Sequence, residues 1–251
     1  MNYQTKPYFK THTHQTHLND KPWIEARLTE EEMNFLNQAI LDGNRGENMN
    51  KTLAGNISKS EAIKDKDNWF FETVLKKLIS RVCSDEDFEM DRFWVNYQKQ
   101  HEFNPLHNHS GIFSFVVFMK IPTDWKEQHS LPFIGHANTP CASDFAFVWS
   151  KEDTNKIFKC TFPLSQKDEG RMLFFPSSLR HMVYPFYECE EERVTISGNI
   201  DFYVPNKPKS IKEVFELSGT VIEEKEKILK VLENTVETTK EELKQMKKAR
   251  E

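Results

Sequence analysis

Two kinds of periodicity divide the chain. Between residues 93 and 202 apolar residues come in short runs or strict alternation, whereas on either side they recur at helical spacing. The alternation is cleanest in residues 193–202. Arg193, Thr195, Ser197 and Asn199 take one face of an extended strand, and Val194, Ile196, Ile200 and Phe202 take the other. Just upstream, residues 170–187 read as an apolar strand, a Pro-Ser-Ser turn and a strand opening with His181. The loop that follows, residues 188–192, carries four carboxylates and one thiol and belongs in water. A strand with a polar inner row and an apolar outer row suits a β-barrel holding a polar ligand in its mouth. Further strands are predicted at residues 93–99, 112–121, 145–149 and 157–163. Residues 125–140, with His129 and His136, have no clear period and are expected to form a loop over the barrel mouth, where specificity usually resides.

The helical pattern begins at Thr29, which with the acidic residues 30–32 forms a capping signal for a helix to residue 41. The Gly- and Asn-rich residues 42–47 break it, and the polar, turn-rich residues 53–65 follow. A second amphipathic helix is predicted over residues 68–83, where Phe70, Phe71, Val74, Leu75, Leu78, Ile79 and Val82 form one broad stripe. After Pro205 the composition changes to a linker and then a long helix. Its seam of Ile222, Lys225, Leu229, Leu232, Val236, Thr239, Leu243 and Met246 suits either a coiled coil joining copies through residues 221–251 or a helix laid on its own domain. The expected organisation is a flexible tail (1–20), a helical support region (21–90), a β core (91–206) and the C-terminal helix (207–251). The fold class is mainly β with flanking helices.

Composition narrows the function. A net charge of −5 lacks the basic excess of a general nucleic-acid binder. The 20 phenylalanines suit a sandwich core lined by large rings. Cys83, Cys141, Cys160 and Cys189 make no CxxC pair, so neither a zinc knuckle nor a disulfide framework is suggested. Without a signal peptide or long apolar run, the expectation is a soluble protein of the cytoplasm (of the host, if viral), with no membrane partner. His12, His14 and His17 resemble a metal tract, but no predicted element holds them, so they are assigned to the tail.

The chemistry concentrates on three other histidines. His107 and His109 are two apart, so on extended backbone both imidazoles project to one face. With the distant His181 they form a plausible set for a first-row ion, leaving coordination positions open. The alternative is a pair of surface histidines near a loop. Asp144 is the nearest carboxylate that could join as a ligand.

This order resembles the Fe(II)/2-oxoglutarate-dependent oxygenases of the cupin-like double-stranded β-helix (jelly roll), and in particular their prolyl-4-hydroxylase-like branch, common in phages and marine bacteria. That branch shows a His-x-Asp pair, a distal His, and an Arg or Lys about a dozen residues later. This chain has His107, His109, His181 and Arg193. The framing of the distal histidine is matched by Gly170, Leu173, Phe174, Phe175, Pro176, Ser177, Val183 and Pro185. The departure is His109, where the best-known members have Asp. It raises the site charge by one and leaves three outcomes open: a three-histidine iron site, a redox-silent site holding Zn or Ni, or a two-histidine site with His109 turned away.

The resemblance implies Fe(II) bound by His107, His109 and His181, with 2-oxoglutarate as a small-molecule cosubstrate. Arg193 would hold its distal carboxylate, aided by Thr195 or Ser197. Tyr97, ten residues before His107, stands where hydroxylase-like members place a tyrosine on that carboxylate; a core tyrosine is the alternative. The implied activity is a dioxygenase hydroxylating a prolyl or other protein residue, or a small molecule. A different class also fits: a non-catalytic cupin-like metal-binding or virion-assembly module associating through the C-terminal helix. Arg193 discriminates between them, because a pure binding module has no need of a cation at that spacing.

Overall fold

Alternation along a strand fixes which side chains share a face, and the face gains meaning from what packs on it. The computed structural model describes residues 21–42, 48–83, 86–151 and 156–204. The expected N-terminal tail and C-terminal helix lie outside them. The chain divides into two units, Met1–Tyr203 and Val204–Glu251, and every element below belongs to the first.

Among the described residues ten strands form two antiparallel sheets. In chain order they are β1 (Ile24–Arg27), β2 (Lys59–Ala62), β3 (Phe88–Gln98), β4 (Asn104–His107), β5 (Phe113–Lys120), β6 (Phe145–Lys151), β7 (Lys156–Phe162), β8 (Arg171–Pro176), β9 (Arg180–Val183) and β10 (Arg193–Phe202). The larger sheet runs β1-β8-β5-β10-β3-β2, and the smaller runs β4-β9-β6-β7. This is the two-sheet jelly roll expected above, with strands from both ends of the chain interleaved. It also recruits β1 from the expected helical support region, and β2 from the stretch within it that reads as polar and turn-rich.

Two cores lie on opposite faces of the larger sheet. On its outer face Phe93 and Val95 of β3, Phe113, Phe115 and Val117 of β5, Met172 and Phe174 of β8 and Ile196 and Ile200 of β10 pack with helical residues. Those come from α1 (Glu30–Asp42), through Leu36 and Ala39, and from a π-helical turn, Phe71–Leu75, running into α2 (Lys76–Ile79). The opposite face contributes Val116, Phe118, Leu173 and Phe175 to a second core with Phe145, Phe147 and Phe162 of the smaller sheet. This explains the apolar run over residues 115–119 of β5, since both of its faces are covered. Each fully buried phenylalanine contributes on the order of 2 kcal/mol through burial.

The helix ends follow their local chemistry. Thr29 and Glu32 form the capping box read from sequence: Thr29 N–H donates to Glu32 Oε2 at 2.8 Å, and Glu32 N–H to Thr29 Oγ1 at 3.3 Å. The second helix is shorter than the predicted residues 68–83. Asp65 accepts from the backbone N–H groups of Phe70 and Phe71, each at 2.8 Å, and so ties down its start. Residues 125–140 are not wholly loop, for α3 (Trp125–Ser130) forms there, capped by Asp124.

Candidate active site

The smaller sheet brings two of the three histidines together by register. His107, the last residue of β4, is directly opposite His181 on β9, and His181 is in turn opposite Phe147 on β6. His109 follows β4 on a loop that is fixed by the Pro-Ser-Ser turn: its N–H donates to the Ser177 carbonyl at 2.9 Å. The same turn is anchored from below. Ser177 Oγ lies 2.8 Å from Ser114 Oγ, and Ser114 Oγ donates to Asn199 Oδ1 at 3.0 Å, all three residues buried. Gly111 completes the bend with φ of +88°, where a Cβ would come within 2.8 Å of the Ile200 carbonyl oxygen.

The result is a cluster in which one nitrogen from each of His107, His109 and His181 lies within 4.8 Å of the others. His109 points into the cluster, with its Nε2 3.1 Å from His181 Nε2. Two tautomers are set by backbone carbonyls. His107 Nδ1 is 2.7 Å from the Pro105 oxygen, and His181 Nδ1 is 3.0 Å from the Leu179 oxygen. Each Nδ1–H donating to its carbonyl leaves an Nε2 lone pair free, the orientation that metal-ligating histidines adopt. Rings of Phe145, Phe147 and Phe175 surround His181, which is 4% exposed. Burial holds all three imidazoles below their ordinary pKa, His181 well below and His109 down to about 4, the last helped by positive charge at His107 and Arg92. Neutral imidazoles are the form that binds metal. The donor set therefore fits a first-row ion. Asp144 is not in this cluster, because His129 Nε2 holds its Oδ1 at 2.9 Å.

Arg193 opens β10 on the same pocket and is fully buried. Its Nη2 donates to both the carbonyl (2.9 Å) and the hydroxyl of Ser143; Nη1 makes a long bond of 3.4 Å to Gln98 Oε1; Nε has no partner. The Phe186 ring lies 5.1 Å from the guanidinium carbon. Burial lowers its pKa to about 10, a shift opposed by the nearby Asp144 carboxylate, so Arg193 stays charged at neutral pH. Thr195 and Ser197 line the same pocket, as the alternation requires, and Asn96 Nδ2 donates to Thr195 Oγ1 at 3.4 Å.

Tyr97 is not among them. It lies on the outer face of β3 with Phe93 and Val95, in the core shared with the helices, and Lys59 sits over its ring at 4.1 Å. The pocket face of β3 instead presents Trp94, Asn96 and Gln98. The sequence held that signal: within residues 93–98 the polar residues Asn96 and Gln98 alternate against Phe93, Val95 and Tyr97, and the odd row continues the apolar outer face. Two other features had no local signal. Ser143 reaches Arg193 across 50 residues, and residues 50–57 contribute Asn50, Leu53, Ala54, Gly55 and Ile57 to the pocket wall.

Residues 92–199, the stretch holding all three histidines and Arg193, match the family model of the 2OG-Fe(II) oxygenases. The match covers 108 of the 251 residues, somewhat less than half of the chain. Among solved structures, the chain is similar to a prolyl-4-hydroxylase of Pseudomonas putida (12% identity, 73% of this chain and 94% of that one, TM-score 0.45). It is also similar to the viral collagen prolyl hydroxylase of Paramecium bursaria Chlorella virus-1 in its 2OG complex (13%, 74% and 98%, 0.42). A third is a 2OG-Fe(II) oxygenase family oxidoreductase of Burkholderia pseudomallei (13%, 53% and 54%, 0.38), of whose length the alignment spans about half. No protein with a curated description matches the sequence. Among the described residues no helix is long and apolar enough to cross a membrane.

Proposed function

We propose that the chain is an Fe(II)- and 2-oxoglutarate-dependent dioxygenase that hydroxylates a prolyl or other protein residue or a small molecule, with His107, His109 and His181 as its metal ligands. The observation that carries this is Arg193. A guanidinium removed from solvent, bonded only to neutral oxygens among its described partners and with Nε unpartnered, favours an anion within reach. It shares one pocket with three neutral imidazoles, so a ligand bearing a carboxylate at one end and a chelating group at the other fits both.

Iron(II) bound together with 2-oxoglutarate supplies the oxidative decarboxylation that activates dioxygen toward a C–H bond. The protein's own part is to hold and to exclude. His107 and His181 are held by Pro105 and Leu179 with Nε2 turned to the cluster, and His109 by the Ser177 carbonyl. Arg193 takes the distal carboxylate, with the Thr195 or Ser197 hydroxyl beside it. Phe145 and Phe175 keep water from His181. Three imidazoles leave the site one charge more positive than a His-x-Asp set, which strengthens the hold on a dianionic cosubstrate.

The test is anaerobic titration of Fe(II)-loaded protein with 2-oxoglutarate. A weak visible charge-transfer band is expected, bleaching with slow succinate release when oxygen is admitted. His109→Asp should keep or strengthen the band. Its absence from both proteins with iron fully loaded would overturn the oxygenase assignment. A band in the Asp variant alone would show that the three-histidine site has left the family's chemistry.

A further inference from the structure

The guanidinium of Arg193 is held from behind by a residue in an unusual backbone state. Ser143 is completely buried and has φ of +73°, the left-handed region that residues with a Cβ avoid. A strained residue persists only where its surroundings over-determine it, and here they do. Ser143 N–H donates to the Pro185 carbonyl at 2.8 Å, and Ser143 Oγ lies 2.9 Å from Thr123 Oγ1. The next residue is fixed too, since Tyr184 N–H donates to the Asp144 carbonyl at 2.9 Å while His129 holds its carboxylate. The consequence of this conformation is that the carbonyl and the hydroxyl of one serine both meet Nη2 of Arg193.

With Nη2 occupied in this way and Nη1 held at 3.4 Å by Gln98, the guanidinium is tied down through two of its nitrogens, and Nε is the nitrogen left without a partner. We infer that Ser143 is a positioning residue that makes this pocket selective for a 2-oxo acid bearing a second carboxylate. It does so by fixing the Arg193 guanidinium in place before the ligand arrives. The inference rests on the proposed 2-oxoglutarate site and adds a determinant of its selectivity. Preorganisation of this kind acts on the distal carboxylate alone, because the chelating end of the ligand meets the histidines, not the arginine.

The experiment compares 2-oxoglutarate with 2-oxobutyrate, which has the same chelating end and no second carboxylate. Both are titrated into Fe(II)-loaded protein under nitrogen, with affinity read from the charge-transfer band and iron stoichiometry measured in parallel. Ser143→Ala removes the hydroxyl and keeps the strain, whereas Ser143→Gly removes the hydroxyl and relieves it, so the glycine variant guards against misfolding. Both variants are expected to bind 2-oxoglutarate about three- to tenfold more weakly, because the ligand must then order the guanidinium itself. Affinity for 2-oxobutyrate should stay within about twofold. Equal weakening toward both acids, loss of iron, or unchanged 2-oxoglutarate affinity would each overturn the inference. An iron-loaded parent protein that fails to bind 2-oxoglutarate would instead overturn the functional assignment, and the inference with it.

Discussion

At the scale of the residue, the site is governed by which face of a strand a side chain occupies. Arg193, Thr195 and Ser197 share the pocket face of β10, whereas Tyr97 belongs to the outer row of β3 with Phe93 and Val95. Two substitutions separate these placements. Arg193→Ala is expected to abolish measurable 2-oxoglutarate binding while leaving iron binding intact, since truncating a buried charge-assisted contact typically costs ~2–5 kcal/mol. Tyr97→Phe should leave the affinity within about twofold, because its hydroxyl lies across the sheet from the pocket. Calorimetric titration of both variants checks the pair, and a large loss in Tyr97→Phe would return that residue to the site.

Among the elements, β10 is the strand on which the larger sheet is assembled, paired with β5 on one side and β3 on the other. Gly198 sits opposite both Phe115 and Phe93 in that register. A Cβ there would come 2.6 Å from Phe115 Cε1 and 2.8 Å from the Arg92 carbonyl oxygen. The ring has neighbours in Phe70 and Phe93, at centroid distances of 5.8 and 6.1 Å, and cannot swing away freely. Gly198→Ala is therefore expected to destabilise by ~1–3 kcal/mol through overpacking. At about 2–4 °C per kcal/mol for a domain of this size, thermal melting should register it. An unchanged melting temperature would mean that the sheet tolerates the methyl group by shifting backbone.

For the whole molecule, the histidine cluster couples stability to pH and to metal. The His109 pKa is depressed from 6.5 to about 4 in the folded protein, so between those values the unfolded chain binds the proton and the folded one does not. The resulting stability is present above pH 6.5 and is lost as pH falls towards 4. A melting series of metal-free protein should show that decline, shallower in His109→Gln. At pH 7, Ni(II) as a redox-silent stand-in should raise the melting temperature, since a ligand that binds only the folded state stabilises it by mass action. His107→Ala should erase most of that rise; a variant that keeps it would remove His107 from the ligand set.

The sequence by itself carried what is local. Period-two alternation in residues 193–202 placed Arg193, Thr195 and Ser197 on one face, and the capping box at Thr29 and Glu32 marked the start of α1. The spacing of His107, His109 and His181 singled out the three residues that converge, but their meeting depends on β4 pairing with β9, which joins residues more than 70 apart. Alternation already grouped Tyr97 with Phe93 and Val95 against Asn96 and Gln98, but which of the two rows looks into the pocket was decided only by the packing of both sheets and the helices. Ser143 had no signal, because serine is common in turns and nothing local announces its left-handed backbone or its bond to Arg193. Residues 53–65 read as polar and turn-rich, and only long-range contacts such as the Asn56 N–H bond to the Phe103 carbonyl bring their first part to the pocket. Steric preference and periodicity act between neighbours in sequence; convergence, burial and the direction of a buried charge are set by contacts between distant ones.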